Sequence, residues 1–258
     1  MKQQLTIIKV GGKIVEEEEE TLQQLLKDFT AIPGAKVLIH GGGRSATKIA
    51  AQLGIESQMV NGRRITDAEM LKVVTMVYGG LVNKTIVSRL QAEGINALGL
   101  TGADMDIIRS HKRPVKDVDY GFVGDVDAVN GALLSDLIQK GIVPVIAPLT
   151  HDGKGNILNT NADTIAGETA KALAKYFDVT LFYCFEKKGV LQDADDDNSV
   201  IPYINEEAFK QYVEEGVIVG GMIPKLENAF NAIHAGVNKV VITLASAIDG
   251  KSGTIIEK

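Results

Sequence analysis

Cysteine is almost absent from this 258-residue chain. Cys184 stands alone inside an apolar run, so an intramolecular disulfide is excluded and a reducing compartment, the cytoplasm, is expected. Positive charge is in the minority: the net charge of −6 argues against a general nucleic-acid or membrane-surface binder. No unbroken apolar run approaches the roughly 20 residues of a membrane span. Met1-Lys2-Gln3-Gln4 leads straight into a short strand-like segment without a signal-peptide pattern. The four histidines are scattered and form no zinc set, so no metal ligands are assigned. Linkers, internal repeats and low-complexity tracts are also missing, apart from the Glu16–Glu20 run, which reads as an exposed first helical turn.

Several familiar site patterns are missing too. There is no G-x-G-x-x-G fingerprint, and no G-x-S-x-G elbow accompanies the lipase-like His40-Gly41-Gly42-Gly43. The polar stretch Gln192–Ser199 lacks the glycine and the twelfth-position glutamate of an EF-hand and reads as a surface loop. Ala245–Ser252 comes close to a Walker A loop, but only six residues follow Ser252, too few for the helix such a loop must open.

What the chain does have is an apolar run ending in glycine, twice within 43 residues. Leu5–Val10 runs into Gly11-Gly12, and Lys36–His40 into Gly41-Gly42-Gly43. Such runs read as buried strands whose C-terminal ends open into loops, where ligands of open α/β sheets bind. Glycine lets backbone N–H groups close on an anion, and Lys9 sits just inside the first loop, so the pair reads as a phosphate cradle. Helical spacing follows at 16–31 and 45–53, and Thr66-Asp67-Ala68-Glu69 has the form of a capping box opening a long helical stretch that is broken or kinked near Gly79-Gly80 and ends near Gly94. Further strands are expected at 95–100, 107–111, 122–129, 143–147, 179–185 and 239–244, with helices at 130–140, 162–175, 205–215 and 223–235. This alternation predicts an α/β fold, a three-layer αβα sandwich around a mainly parallel open sheet. Asn161 reads as the N-cap of the 162–175 helix, which leaves Asn159 without a structural role. Lys225 opposes the dipole at the start of the 223–235 helix, as it would where an anion binds.

Taken in order, these segments resemble the amino acid kinase family, and within it most closely the acetylglutamate kinases. The resemblance rests on Ile8–Gly12 as a K-x-G-G loop, His40–Gly43 as a second glycine loop, and Asn61-Gly62-Arg63-Arg64-Ile65-Thr66 as an N-G-x-R-x-T segment. Gly99–Asp104, Gly121–Val126, Asn159–Asp163 and Gly221–Lys225 match in the same order. Two segments depart from it. Phe185-Glu186-Lys187-Lys188 stands where relatives carry a small residue, aspartate and valine before Gly189, and Met105 replaces a usual glycine.

The resemblance implies an amino acid kinase-like fold, with residues 1–178 as an acylglutamate-binding lobe carrying the phosphate loops and 179–258 as a nucleotide-binding lobe on one continuous sheet. It implies transfer of the γ-phosphoryl group of ATP to the γ-carboxylate of N-acetylglutamate or another N-acylglutamate, such as the succinyl form, in arginine biosynthesis. Mg2+ would be held by ATP phosphates and water. Lys9, Lys225, Asp163, Gly12 and Gly42 would be catalytic, with Asp163 holding both ammonium groups. Gly41, Gly42, Arg64 and Asn159 would bind the acylglutamate, and Lys9, Gly11, Gly12, Glu186, Gly189 and Lys225 the nucleotide. A carboxylate nucleophile, with a reference pKa near ~4.3, needs no general base at pH 7. The rival readings are a relative acting on carbamate, an amino acid or a nucleoside monophosphate, against which Arg64 counts, and a non-catalytic sensor, against which Lys9, Asp163 and Lys225 count. Arginine-inhibited members of the family resemble hexamers joined through an extra N-terminal helix, whereas only Met1–Gln4 precede the first run here. A homodimer indifferent to arginine is therefore expected, packed through Leu71, Val74, Val77, Tyr78, Leu81 and Val82.

Overall fold

Strand β1 (Gln4–Val10) is followed by helices α1 (Gly12–Glu16) and α2 (Glu19–Ala31), and β2 (Ala35–His40) by α3 (Gly43–Gln52). A hairpin of β3 (Met59–Val60) and β4 (Arg63–Arg64) leads to a continuous helix over Ala68–Ala92, made of α4 (Ala68–Val74), a π-helical segment (Thr75–Val82) and α5 (Asn83–Ala92). Then come β5 (Ala97–Leu100), β6 (Ile108–Lys112), β7 (Gly124–Val129), α6 (Gly131–Gln139), β8 (Val143–Ile146), β9 (Leu149–His151), β10 (Ile157–Asn159) and α7 (Ala162–Leu173). The chain closes with β11 (Asp178–Phe185), α8 (Glu206–Glu214), α9 (Met222–His234), β12 (Lys239–Leu244) and β13 (Thr254–Ile256). This computed structural model describes residues 2–16, 19–60, 62–248 and 252–257. Glu17 and Glu18 of the glutamate run, Asn61 of the N-G-x-R-x-T segment and 249–251 of the Walker-like turn lie outside the described residues.

Seven strands form the main sheet in the order β13-β12-β11-β1-β2-β8-β5, parallel except for the β12–β13 pair. The apolar runs are continuous rather than alternating because both faces of the sheet are covered. Leu5 and Ile7 of β1 face the cluster made with α6, α7 and α9, while Ile8 and Val10 face the one made with α2, α3 and the Ala68–Ala92 helix. This is the expected αβα sandwich. The sheet passes residue 178 without interruption, since β1 and β11 pair from Gln4↔Asp178 to Val10↔Cys184.

Four expectations need correction. The strands expected at 107–111 and 122–129 exist, but as the antiparallel pair β6–β7 in a separate four-stranded sheet of order β10-β9-β6-β7. The long helix does not break at Gly79-Gly80; it widens into π-helix there and continues. Its cap is Asp67, whose carboxylate accepts the Met70 N–H at 2.8 Å, because the Thr66 hydroxyl is buried and engaged elsewhere. Finally, Ala68–Ala92 is long and apolar enough to cross a membrane by length and composition. Its Met70, Val73, Val74, Val77, Val82, Ile86 and Leu90 are buried in the core on one face of the sheet.

Candidate active site

β1 and β2 are parallel neighbours in register Val10↔His40, so their glycine loops leave the same edge of the sheet side by side. The Gly41 N–H donates to the Val10 carbonyl at 2.9 Å. A Cβ on Gly41 would stand 2.9 Å from the Gly12 nitrogen, and one on Gly42 would stand 2.5 Å from the Tyr78 ring. Side chains are thus excluded where the two loops meet. The preceding His40 is fully buried: its Nδ1 lies 2.6 Å from the Gly41 carbonyl and its Nε2 lies 3.1 Å from Asn83 Nδ2. Since Asn83 Nδ2 can only donate, Nε2 accepts and Nδ1–H donates to the carbonyl. Burial pushes this imidazole down to about 4, against a partial upward pull from the Gly41 contact.

Beneath the loops, Lys9 is only 7% exposed and its ammonium pairs with Asp163 at 2.8 Å. Asp163 is held in the first turn of α7, where Asn161 caps the helix by accepting the Asp163 and Thr164 N–H groups. Lys225 lies in the first turn of α9, with its ammonium 3.8 Å from the centroid of the Phe185 ring. Burial lowers its pKa, while Asp163 raises it, Lys9 lowers it and Glu186 raises it. Asp163 therefore makes a direct ion pair with Lys9, and acts on Lys225 only at longer range.

Two cavities open on either side of the glycine loops. One is lined by Arg63, Arg64, Tyr78, Arg113, Asn159 and Asn161 among others, and the second by Gly11, Gly12, Lys13, Arg44, Glu186, Lys187, Gly189 and Lys225 among others. Gly41, Gly42, Gly43, Met59 and Arg64 line both, so these residues form a shared wall. The first residues of four helices, Gly12, Gly43, Ala162 and Met222, also line them, turning positive dipole ends toward the space. Around the larger cavity Lys13, Arg44, Lys187 and Lys225 outnumber Glu186, which is already taken by Lys13 at 3.3 Å and Arg44 at 3.4 Å. This donor set fits a polyphosphate. Among the described residues no cluster of His, Cys, Asp and Glu stands close enough to hold a metal ion.

Of the expected site residues, Lys9 and Asp163 line neither cavity and meet each other in an ion pair. Gly41, Gly42, Arg64 and Asn159 border the first cavity, while Gly11, Gly12, Glu186, Gly189 and Lys225 border the second. Arg64 is more engaged than a free carboxylate clamp. Its Nη2 donates to the Gly43 carbonyl at 2.7 Å and the Thr47 hydroxyl at 2.8 Å, and its Nη1 to the Ser57 hydroxyl. Asn159 is tied to the same wall through the Thr66 hydroxyl at 2.9 Å. Arg63, Arg113 and Phe185 were missed as site residues. The adjacent arginines Arg63-Arg64 and the departure at 185 were the available signals, whereas nothing local marks Arg113, which the β6–β7 pairing brings in.

A sequence profile of the amino acid kinase family matches residues 4–244. The chain is 76% identical over 258 residues to the acetylglutamate kinase of Bacteroides fragilis, covering all of this chain and 98% of that protein. It is likewise 76% identical over 258 residues to the acetylglutamate kinase of Phocaeicola vulgatus, covering both chains in full. Among solved structures, that of smu.665 from Streptococcus mutans superposes with a TM-score of 0.80 at 27% identity, covering 98% of each chain.

Proposed function

The chain belongs to the amino acid kinase family, and on that footing we propose that it transfers the γ-phosphoryl group of ATP to the side-chain carboxylate of N-acetylglutamate or a related N-acylglutamate, a step of arginine biosynthesis. The observation that carries this reading is the wall shared by two cavities at the glycine loops, with Lys225 lining the larger one and the Lys9–Asp163 ion pair close by, both ammonium groups facing the Phe185 ring. The acceptor occupies the cavity of Arg64 and Asn159, and the nucleotide that of Gly11, Gly12, Glu186, Gly189 and Lys225. Residues 1–178 supply the acceptor side and, through both glycine loops, Lys13 and Arg44, the larger share of the nucleotide side, to which 179–258 add Phe185, Glu186, Lys187, Gly189 and Lys225.

The acceptor carboxylate is already ionised at neutral pH, so the barrier lies in bringing two anions together and stabilising charge on the moving group. Lys9 and Lys225 neutralise that charge, and the Gly12 and Gly42 N–H groups donate to the phosphoryl oxygens, a role worth about 3–4 kcal/mol per donor at comparable sites. Asp163 keeps the Lys9 ammonium at the end of β1. Mg2+ would be held by the ATP phosphates rather than by a cluster of protein ligands and would supply shielding of their charge. The lone buried thiol of Cys184 suits a reducing cytoplasm.

A second acceptor has an observation of its own. Arg63 and Arg113 line the acceptor cavity beside Arg64, and Arg113 is held by both Asp125 oxygens, each 3.1 Å from its Nε. Two further guanidinium groups suit an acyl group ending in a carboxylate, as in N-succinylglutamate. Hydroxylamine trapping of the acyl phosphate with MgATP tests both readings. Hydroxamate should form with an N-acylglutamate and not with free glutamate; equal rates with free glutamate would refute the reaction. A preference for the succinyl over the acetyl form that Arg113→Ala abolishes would establish the second acceptor.

A further inference from the structure

Phe185 ends β11 at the floor of the site, in a segment that departs from the family pattern. Strand alternation puts Tyr183 and Phe185 on one face, and Lys9 lies opposite Tyr183 in the β1–β11 register. The two rings stack with centroids 6.1 Å apart and 16° between their planes. The Tyr183 hydroxyl donates to the backbone carbonyl of Asp163 at 3.2 Å. The Phe185 ring is thereby tied to the frame that carries Lys9 and Asp163. Its centroid lies 3.8 Å from the Lys225 ammonium and 5.2 Å from that of Lys9. Lys9 has Asp163 as an ionic partner, whereas Lys225 makes no ion pair among the described residues.

We propose that Phe185 is a positioning residue for phosphoryl transfer, whose ring face holds the Lys225 ammonium in the larger cavity, which the glycine loops also line. An aromatic face attracts a cation through its quadrupole and leaves its net charge intact. A carboxylate in the same place would hold the lysine more tightly, but would neutralise it and compete with the phosphoryl oxygens for its N–H donors. The division of labour follows: Asp163 fixes Lys9, and the ring fixes Lys225 with its full charge directed at the transferring group. The ring also walls the ammonium from water, which strengthens its attraction for phosphate.

This inference rests on the phosphoryl-transfer reading, so its test has one arm that needs no turnover. In the full-length protein without ligands, the Lys225 εCH2 protons should resonate upfield from ring current, and Phe185→Leu should return them to ordinary lysine values. An unshifted wild-type resonance overturns the proposal. The second arm places mono-, di- and pentafluorinated phenylalanine at position 185, withdrawing π density stepwise at nearly constant shape. The kcat with MgATP and an acylglutamate should fall in step, by about tenfold across the series, with the KM for acylglutamate nearly constant. A kcat that stays flat, or that falls only with a loss of thermal stability, overturns it. A wild-type protein that turns over no acylglutamate refutes the reaction reading instead, and the resonance arm still decides whether the ring holds Lys225.

Discussion

Lys9 and Lys225 both face the Phe185 ring but differ in how they are held, by a carboxylate at 2.8 Å and by the ring face at 3.8 Å. Each should act on the transferring group more than on substrate affinity. Lys225→Ala and Lys9→Ala should each lower kcat by about 10²–10³ while the protein stays folded, as loss of one electrostatic donor does elsewhere. Steady-state kinetics alongside circular dichroism would check this; an unchanged kcat in either variant would remove that lysine from the mechanism. His40 makes a prediction of another kind. Its imidazole is held neutral down to about 4, while the unfolded chain protonates it near 6.5. Between those values the unfolded state binds the extra proton, so stability is complete above about pH 6.5 and declines as pH falls toward 4. The full decline attributable to this side chain is about 3 kcal/mol. Urea unfolding at pH 7 and pH 5 should show a larger loss for the wild type than for His40→Asn, by about 2 kcal/mol. Equal losses would mean that His40 is not the proton acceptor that matters.

At the scale of elements, the ends of helices decide what the periodicity leaves open. α2 ends where Lys36, the second residue of β2, donates to the carbonyls of Phe29 at 3.2 Å, Thr30 at 2.9 Å and Ile32 at 2.5 Å. These include carbonyls that a helix leaves unpaired, and the charge complements the negative end of its dipole. Lys36→Met keeps the length of the side chain and removes all three bonds, so it should destabilise the fold by about 2–3 kcal/mol, read as a lower urea midpoint at unchanged slope. Such contacts are absent from a linear reading, which sees Lys36 only as a polar residue before an apolar run. The strands that were legible are those buried on both faces, such as Leu5–Val10, because their continuous apolar runs do not depend on which strand lies beside them. Ile108–Lys112 was legible as a strand, yet its place in a second sheet depends on pairing with Gly124–Val129, a relation no local pattern encodes. Thr66 shows the same limit: it fits the capping rule, but Asn159, 93 positions away, takes its hydroxyl and Asp67 caps the helix. The glycine loops and Lys9 could be read because close backbone approach leaves few residues to choose from. Phe185 could be read only as an exception, since its partner Lys225 lies 40 positions ahead on a separate helix.

Over the whole molecule, the long helix of α4, π-segment and α5 presents two faces. Val74, Val77, Tyr78 and Val82, expected to meet a second copy, are buried within the chain, while Met76 at 55% and Leu81 at 54% stay exposed. The seam we propose for a homodimer is therefore narrower than the sequence suggested, and centres on the π-helical turn that carries Gly80. Two-fold pairing would cover both exposed side chains at once. Leu81→Glu would place like charges across such an axis and should convert a dimer to monomers in light scattering, with the cavities themselves untouched. A wild-type protein that is already monomeric at micromolar concentration would end that proposal.

The wall of Gly41, Gly42 and Gly43 between the cavities has a consequence for inhibitor chemistry. Along Gly41, Gly42 and Gly43 no side chain intervenes, with Met59 and Arg64 lining both spaces beside them, so an acylglutamate joined through a short phosphonate bridge to an adenosine polyphosphate could fill both spaces as one molecule. The second half would then bind at a millimolar or higher effective concentration, and the joined compound should exceed the affinity of either half by about 10²–10⁴. A Cβ at Gly42 would stand 2.5 Å from the Tyr78 ring, which lines the acceptor cavity, so Gly42→Ala should weaken the acylglutamate half and the joined compound together.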